Sequence, residues 1–251
     1  SAQSKIEYRI EGLDLANVQL GTSNAQTLSV SFYVKSNKTG NSAIGLINQN
    51  NDRSFVHQYT IASPNTWQRV SFKVVGDTTG TWNKDTSVGM RMRWGTFGTD
   101  YQTGTFDAWQ AGQKMATSNS PINFNSATGD YIQITGVQVE LGDTVTSFEH
   151  RSIGEELLRC KRYFQGYIQY GEYVSGGTGN LGLPYTAFTV PMRASPTFVN
   201  TVEDKSSNWS FTSMQVQGSA AEGYYAYAIS YNTTNSNYGY MRRAGTASAE
   251  L

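Results

Sequence analysis

The stretch "TLSVSFYVKS", residues 27–36, alternates apolar and polar side chains without a break. Leu28, Val30, Phe32 and Val34 fall on one side; Ser29, Ser31, Tyr33 and Lys35 fall on the other. A period of two is the signature of an extended strand that buries one face and solvates the other. Similar runs recur at "SFVHQYTIA" (54–62), "TWQRVSFKVV" (66–75) and "VGMRMRWG" (88–95). In the second of these, Gln68, Val70, Phe72 and Val74 oppose Trp67, Arg69, Ser71 and Lys73. In the third, Val88, Met90, Met92 and Trp94 oppose Arg91 and Arg93. Gly, Ser, Thr and Asn punctuate the chain about every eight to twelve residues, which predicts an all-β sandwich or barrel of short strands. "YIQITGVQVELG" (131–142) switches its apolar parity at Gly136, as a β-bulge would. The stretch 96–129 reads as irregular.

The charge balance excludes some partners. Nineteen basic and nineteen acidic residues cancel in a chain of 251 residues, only 15% of it charged. No net field attracts nucleic acid or a membrane surface. No apolar run is long enough for membrane insertion as a helix. A single cysteine excludes an intrachain disulfide. The start, "SAQSKIEYRIEG", lacks the apolar core of a signal peptide and reads as a piece of a longer chain.

The most reactive-looking stretch is "TSFEHRSIGEELLRCKRYF", residues 146–164, with Glu149, His150, Arg151, Glu155, Glu156 and Cys160. Its pattern argues against catalysis. Ser152 and Glu155 form a capping box. Ile153, Leu157, Cys160 and Phe164 recur at helical spacing on one face, and Glu155 and Arg159 make an i,i+4 pair. The pattern predicts a helix over 152–164 with Cys160 buried and inert. His150, Arg151 and Glu149 then serve a seam between domains. After residue 165 tyrosine becomes dense, with ten of the sixteen in this part. That texture predicts a second, smaller β domain whose tyrosines form a recognition tip, a core or a subunit interface.

Several segments in one order carry a resemblance: "YRIEGLDLANVQLGTSNAQTLSVSFYVKSNKTG", "HQYTIASPNTWQRVSFKVVGDTTGTWNKD", "TFDAWQAG", "YIQITGVQVELGDTVTSFEHRSIGEELLRCKRYF", "FTVPMRASPTF" and the closing "ASAEL". Together they resemble the C-terminal part of bacteriophage tail fibre proteins, receptor-binding chains with a carbohydrate-binding-module-like jelly roll. The block "QVELGD…FEHRS.GEEL..C.RY" is its most specific part. The resemblance implies a jelly-roll β-sandwich over 1–149, a connector with the helix over 150–165, and a Tyr-rich β domain over 166–251 at the distal tip. It also implies a place at the distal end of a virion tail fibre, homotrimeric, joined to an N-terminal remainder. The partner would be a host cell-surface polysaccharide or lipopolysaccharide, held without catalysis. "AEL" suggests an intact C-terminus.

The residue types suited to holding a glycan are aromatic faces, which stack on sugar rings, and arginines, which match carboxylates or phosphates. The strand parities offer Tyr33, Lys35, Arg69, Lys73, Arg91 and Arg93 as one cationic face, with Trp67 beside it, provided these strands are neighbours. Trp82 and Trp109 sit in loops, as stacking platforms or buried anchors, and Trp94 shares the core parity. Trp209 and Tyr225 are the candidates in the Tyr-rich part. The chain implies no cofactor. With two histidines and one cysteine it offers no zinc spacing, but the loops "NQNNDRS" and "GDTTGTWNKD" hold oxygens that suit a structural calcium. Two other functions compete. A depolymerase would need a pair of carboxylates about 5–9.5 Å apart; Asp100, Asp107 and Glu140 are available, with no spacing that singles out a pair. A purely structural trimerising cap is the third reading.

Overall fold

The computed structural model describes residues 3–174, 177–182, 185–205, 209–210, 213–233 and 238–250, with the side chains of only some of these in the second half. The chain forms two compact units, Ser1–His150 and Arg151–Leu251.

The first unit is a β-sandwich of jelly-roll type. Its long strands are β1 (Gln3–Glu11), β2 (Leu28–Ser36), β3 (Gly40–Asn48), β4 (Arg53–Ile61), β5 (Gln68–Val74) and β6 (Val88–Phe97). The short β7 (Gln102–Thr103), β8 (Trp109–Ala111) and β9 (Ala116–Thr117) follow, then the long β10 (Ile132–Leu141). One sheet has the order β1-β6-β3-β4-β8 and the other β10-β2-β5, so the chain passes repeatedly from sheet to sheet. A 3-10 segment, Gly12–Val18, plugs the sandwich with Leu15 and Val18.

The alternation in β2 builds the core. Val30, Phe32 and Val34 point inward and are at most 1% exposed. Phe32 meets Tyr59 of β4 and Trp94 of β6 edge-on, each with ring centroids 5.5 Å apart. Two expected strands begin or end slightly differently, and β1 and β3 escape the parity reading altogether. In β3, residues 42–48 are all buried, because Met115 and Ala116 of the 97–117 insertion cover its outer side while the core covers its inner one. A β-carbon on Gly45 would lie 2.3 Å from that of Met115, so only glycine admits this third layer. The bulge at Gly136 is present: the register between β10 and β2 slips between Thr135 and Gln138, and Gly136 has φ 57°.

In the second unit, α1 (Ile153–Lys161) precedes β11 (Phe164–Val174), β12 (Gly177–Gly182), β13 (Thr186–Ala187), β14 (Thr197–Lys205) and β15 (Trp209–Ser210). Then come β16 (Ser213–Ser219), β17 (Gly223–Thr233) and β18 (Tyr238–Ser248). One sheet runs β11-β18-β14; in the other, β17 pairs with β12, β13, β15 and β16. Tyr167, Met192, Tyr224, Ala247 and Ala249 form its core with Phe188 and Phe198. At least two of its tyrosines are therefore core residues.

The helix differs from expectation in length and environment. Ser152 Oγ accepts from the Glu155 N–H, as the capping box requires, and Arg159 meets Glu155 at 3.1 Å. It ends at Lys161, however, and Phe164 opens β11. Cys160 is exposed rather than buried, and so are Ile153 and Leu157. Helical spacing fixes which side chains share a face; it does not supply a surface to cover them.

Phe32 should therefore be a point of failure for the first unit. Phe32→Ala is expected to cost about 3–5 kcal/mol, the usual range for a large aromatic truncated in a core. Urea unfolding followed by tryptophan fluorescence measures it, since four of the five tryptophans lie in the first unit.

Candidate functional site

The outer face of the three-stranded sheet is the best candidate. Because Phe32 and Val34 point inward, Tyr33 and Lys35 point outward. Tyr33 is registered with Arg69 on β5 and with Thr135 on β10; Ser29 is registered with Lys73, and Lys35 with Gln133. Tyr33, Arg69 and Lys73 thus share one face, as their parities predicted. Trp67, just before β5, is 43% exposed. Lys35 Nζ lies 5.1 Å from its ring centroid, a cation–π contact.

Half of this face is covered by a feature the strand pattern did not reveal. Residues 142–149, following β10, fold back over it as a strap. Ser29 Oγ donates to the Thr144 carbonyl at 3.0 Å, and Lys73 meets Asp143 at 3.1 Å. Arg69 Nη2 donates to the Thr146 carbonyl and to Ser31 Oγ. Gln138 Nε2 donates to Thr146 Oγ1 and the Ser147 carbonyl, and its Oε1 accepts from the Glu149 N–H at 2.8 Å. Bonds from Lys73 and Thr144 hold the Asp143 carboxyl below its ordinary pKa; bonds from Thr146 and Gln138 do the same for Glu140. Polar strap residues such as Thr144, Thr146 and Ser147 read in sequence as an ordinary loop. Lys73 and part of Arg69 are therefore committed to structure, and the open half holds Trp67, Lys35, Tyr33 and the rest of Arg69.

Arg91 and Arg93 are not on this face. Their strand, β6, pairs with β1 and β3 in the other sheet. Arg93 is 5% exposed and donates from Nε to Glu7 at 2.5 Å. Arg91 donates to the Asn48 and Gln49 carbonyls. Parity assigns a side of a strand but cannot say which sheet the strand joins. Trp109, expected in a loop, instead opens β8 opposite Phe55 and is half-buried: its indole N–H donates to the Val75 carbonyl, and its ring meets Trp82 edge-on at 5.1 Å. Trp82 is 8% exposed. Trp209 and Tyr225 lie in β15 and β17, and their side chains fall outside the described residues.

The calcium expectation meets a competing cation. Asp77, opening the second candidate loop, is 2% exposed and receives a bidentate pair from Arg53 at 2.7 and 2.8 Å. The guanidinium satisfies the carboxylate that a metal would have used, and it joins the two candidate loops. Asp52 Oδ1 accepts from Asn48 Nδ2. Among the described residues no three His, Cys, Asp or Glu cluster as metal ligands. Of the candidate acid–base groups, Asp107 meets His57 Nδ1 at 2.6 Å, while the imidazole stacks flat on Phe72 at 4.0 Å. His150 packs against Phe148, and Arg151, expected at a seam, pairs with Glu156 of the helix.

No known protein family matches the chain, and no curated protein matches it in sequence. Among solved structures, it is similar to recombinant discoidin II of Dictyostelium discoideum at 8% identity and a TM-score of 0.23, over 91% of this chain and 76% of that one. A wild-type discoidin II structure from the same organism gives 9% identity and a TM-score of 0.21, over 88% and 71%. A likeness at this level assigns no role to any residue.

Two outcomes follow from these ion pairs. Arg53→Met should destabilise the first unit by about 3 kcal/mol, because it leaves a buried carboxylate unpaired, whereas a chelator should leave the wild-type melting temperature unchanged; thermal unfolding reads both. Burial alone would raise the Glu7 carboxyl, but bonds from Arg9 and Arg93 and the field of Lys5 outweigh it and hold the pKa at about 2 instead of 4.5. Its stabilising contribution is complete above about pH 4.5 and is lost as the pH falls towards 2. Acid titrations of stability should show this loss in the wild type and its absence in Glu7→Gln.

Proposed function

We propose that the chain is a non-enzymatic glycan-binding module that uses the open half of the three-stranded sheet. The observation that carries the reading is the exposed Trp67 indole, with Lys35 on its ring and Arg69 and Tyr33 on the same face. An apolar sugar face stacks on the indole, and the cations and the Tyr33 hydroxyl bond its polar substituents. The non-enzymatic reading rests on the sequence, in which Asp100, Asp107 and Glu140 show no spacing that singles out the pair of carboxylates a depolymerase needs.

The finer reading rests on the sequence resemblance: a receptor-binding module at the distal end of a bacteriophage tail fibre, adhering to host polysaccharide or lipopolysaccharide. There it would work as a homotrimer, so that weak sites gain avidity by repetition. Exposed Ile153, Leu157 and Leu158 on the helix, and Phe164, Ile168 and Tyr170 on β11, support self-association, since such side chains are usually covered.

Binding of the intact chain to an array of bacterial surface polysaccharides tests the reading. Trp67→Ala should weaken binding about tenfold or more, an ordinary loss for an aromatic anchor, with the circular dichroism spectrum unchanged. Unaltered binding would remove the site. Release of oligosaccharides from the bound polysaccharide would favour the depolymerase, and no binding at all by the intact chain would favour the structural cap.

A further inference from the structure

The covered and open halves of the three-stranded face treat their cations differently. On the covered half the strap supplies acceptors: the Asp143 carboxylate to Lys73, and the Thr146 carbonyl to Arg69 Nη2. On the open half, the Lys35 ammonium has no hydrogen bond or ion pair among the described residues and lies against the Trp67 ring. Arg69 donates through Nη2 alone, to Thr146 and Ser31, which leaves Nε and Nη1 without a partner among the described residues. The outward rows at this end are Gln133 and Thr135 on β10, Tyr33 and Lys35 on β2, and Trp67 and Arg69 at β5, with no carboxylate among them. Glu140, whose carboxyl feels the Arg69 charge, is held at the strap by Thr146 and Gln138. Elsewhere the chain matches its cations with its own acids, Lys38 with Asp130, Arg53 with Asp77 and Arg93 with Glu7.

The donors left over select the ligand. Lysine and arginine side chains donate hydrogen bonds and never accept them. A neutral sugar hydroxyl both donates and accepts, so a neutral ring makes no use of two adjacent positive charges. A carboxylate or phosphate only accepts, and it brings the charge that this half lacks. The spacing suits one such group. Tyr33 is registered with Arg69 and Val34 with Gln68, so Lys35 and Arg69 are diagonal neighbours on the same face. Diagonal neighbours have β-carbons about 7–8 Å apart, a gap that two long side chains close around a single anion. Trp67, opposite Lys35 and 43% exposed, stands beside them to carry the sugar ring.

We propose, resting on the glycan reading of this face, that its ligand is an acidic sugar, with a carboxylate or phosphate seated between Lys35 and Arg69 and the ring on the Trp67 indole. The strap does for Lys73 and Arg69 Nη2 what the ligand's anion does for Lys35 and the rest of Arg69.

Chemically paired polysaccharides test it. Bacterial surface polysaccharides are arrayed in native form, after reduction of their carboxylates to alcohols, and after removal of their phosphates, and the intact chain is applied to all three. Native acidic polymers should bind about tenfold more tightly than their treated forms, the discrimination that one charge-assisted hydrogen bond supplies, and the treatment that weakens binding tells carboxylate from phosphate. Binding to the native polymers should also weaken as salt is raised. Lys35→Gln should lose about tenfold on native polymers and little on treated ones, while Lys35→Arg, which keeps the charge, should retain most of the affinity. Equal binding to native and treated polymers, still lost in Trp67→Ala, would overturn the acidic ligand and leave the glycan site standing. A preference for acidic polymers that Lys35→Gln does not reduce would overturn it as well. Failure to bind any polymer would remove the glycan site and the acidic ligand together.

Discussion

The edge-on contact of Phe32 with Trp94 and Tyr59 is the interaction on which the first unit is organised. It ties the narrow sheet to the wide one at the centre of the core. Because side chains alternate along a strand, placing Phe32 inward forces Tyr33 and Lys35 outward. The β2–β5 register then brings Arg69 beside Tyr33, and Trp67 follows at the end of the same row. The candidate site is thus the reverse side of the core. A substitution that turned β2 over by one residue would exchange the two completely.

This is a charge-poor chain, and many of its charges are engaged internally. Arg53 holds Asp77, Arg93 holds Glu7, Lys38 meets Asp130, and Lys73 meets Asp143. These pairs fasten loops and strands that have little apolar surface of their own. The buried ones, Arg53–Asp77 and Arg93–Glu7, are costly to break although their net contribution when intact is modest, whereas the exposed Lys73–Asp143 pair contributes little. On the open half of the three-stranded sheet, Lys35 on its indole and the uncommitted part of Arg69 remain.

Sequence reading succeeded where one residue's environment is set by its own strand. The inward row of β2, the burial of Trp94 and the bulge at Gly136 are all local consequences of alternation, and all are legible. β3 was not legible because an insertion some seventy residues later covers its outer side, so that no alternation survives. Arg91 and Arg93 were assigned the right parity but the wrong company, since sheet membership is decided by pairings far apart in sequence. Cys160 was misplaced for the same reason: a helix face announces itself locally, whereas its cover does not. The strap was invisible because its hold consists of scattered polar bonds, some to backbone carbonyls and others between side chains, which leave no periodic trace.

The strap is also the last piece of the first unit before the chain enters the second. Tension on residue 151 would therefore reach Glu149 and Gln138 first, then Arg69 and Thr146, and the Lys73–Asp143 pair last. These bonds would be loaded in sequence, like the teeth of a zip, whereas the pairings of a strand sheared along its length share their load. Peeling would release the Arg69 guanidinium and the Lys73 ammonium before any strand left its sheet. In a single-molecule extension it would register as a small step at low force, ahead of the sandwich's own rupture. A pull transmitted along the chain would thereby enlarge the cationic surface of this face.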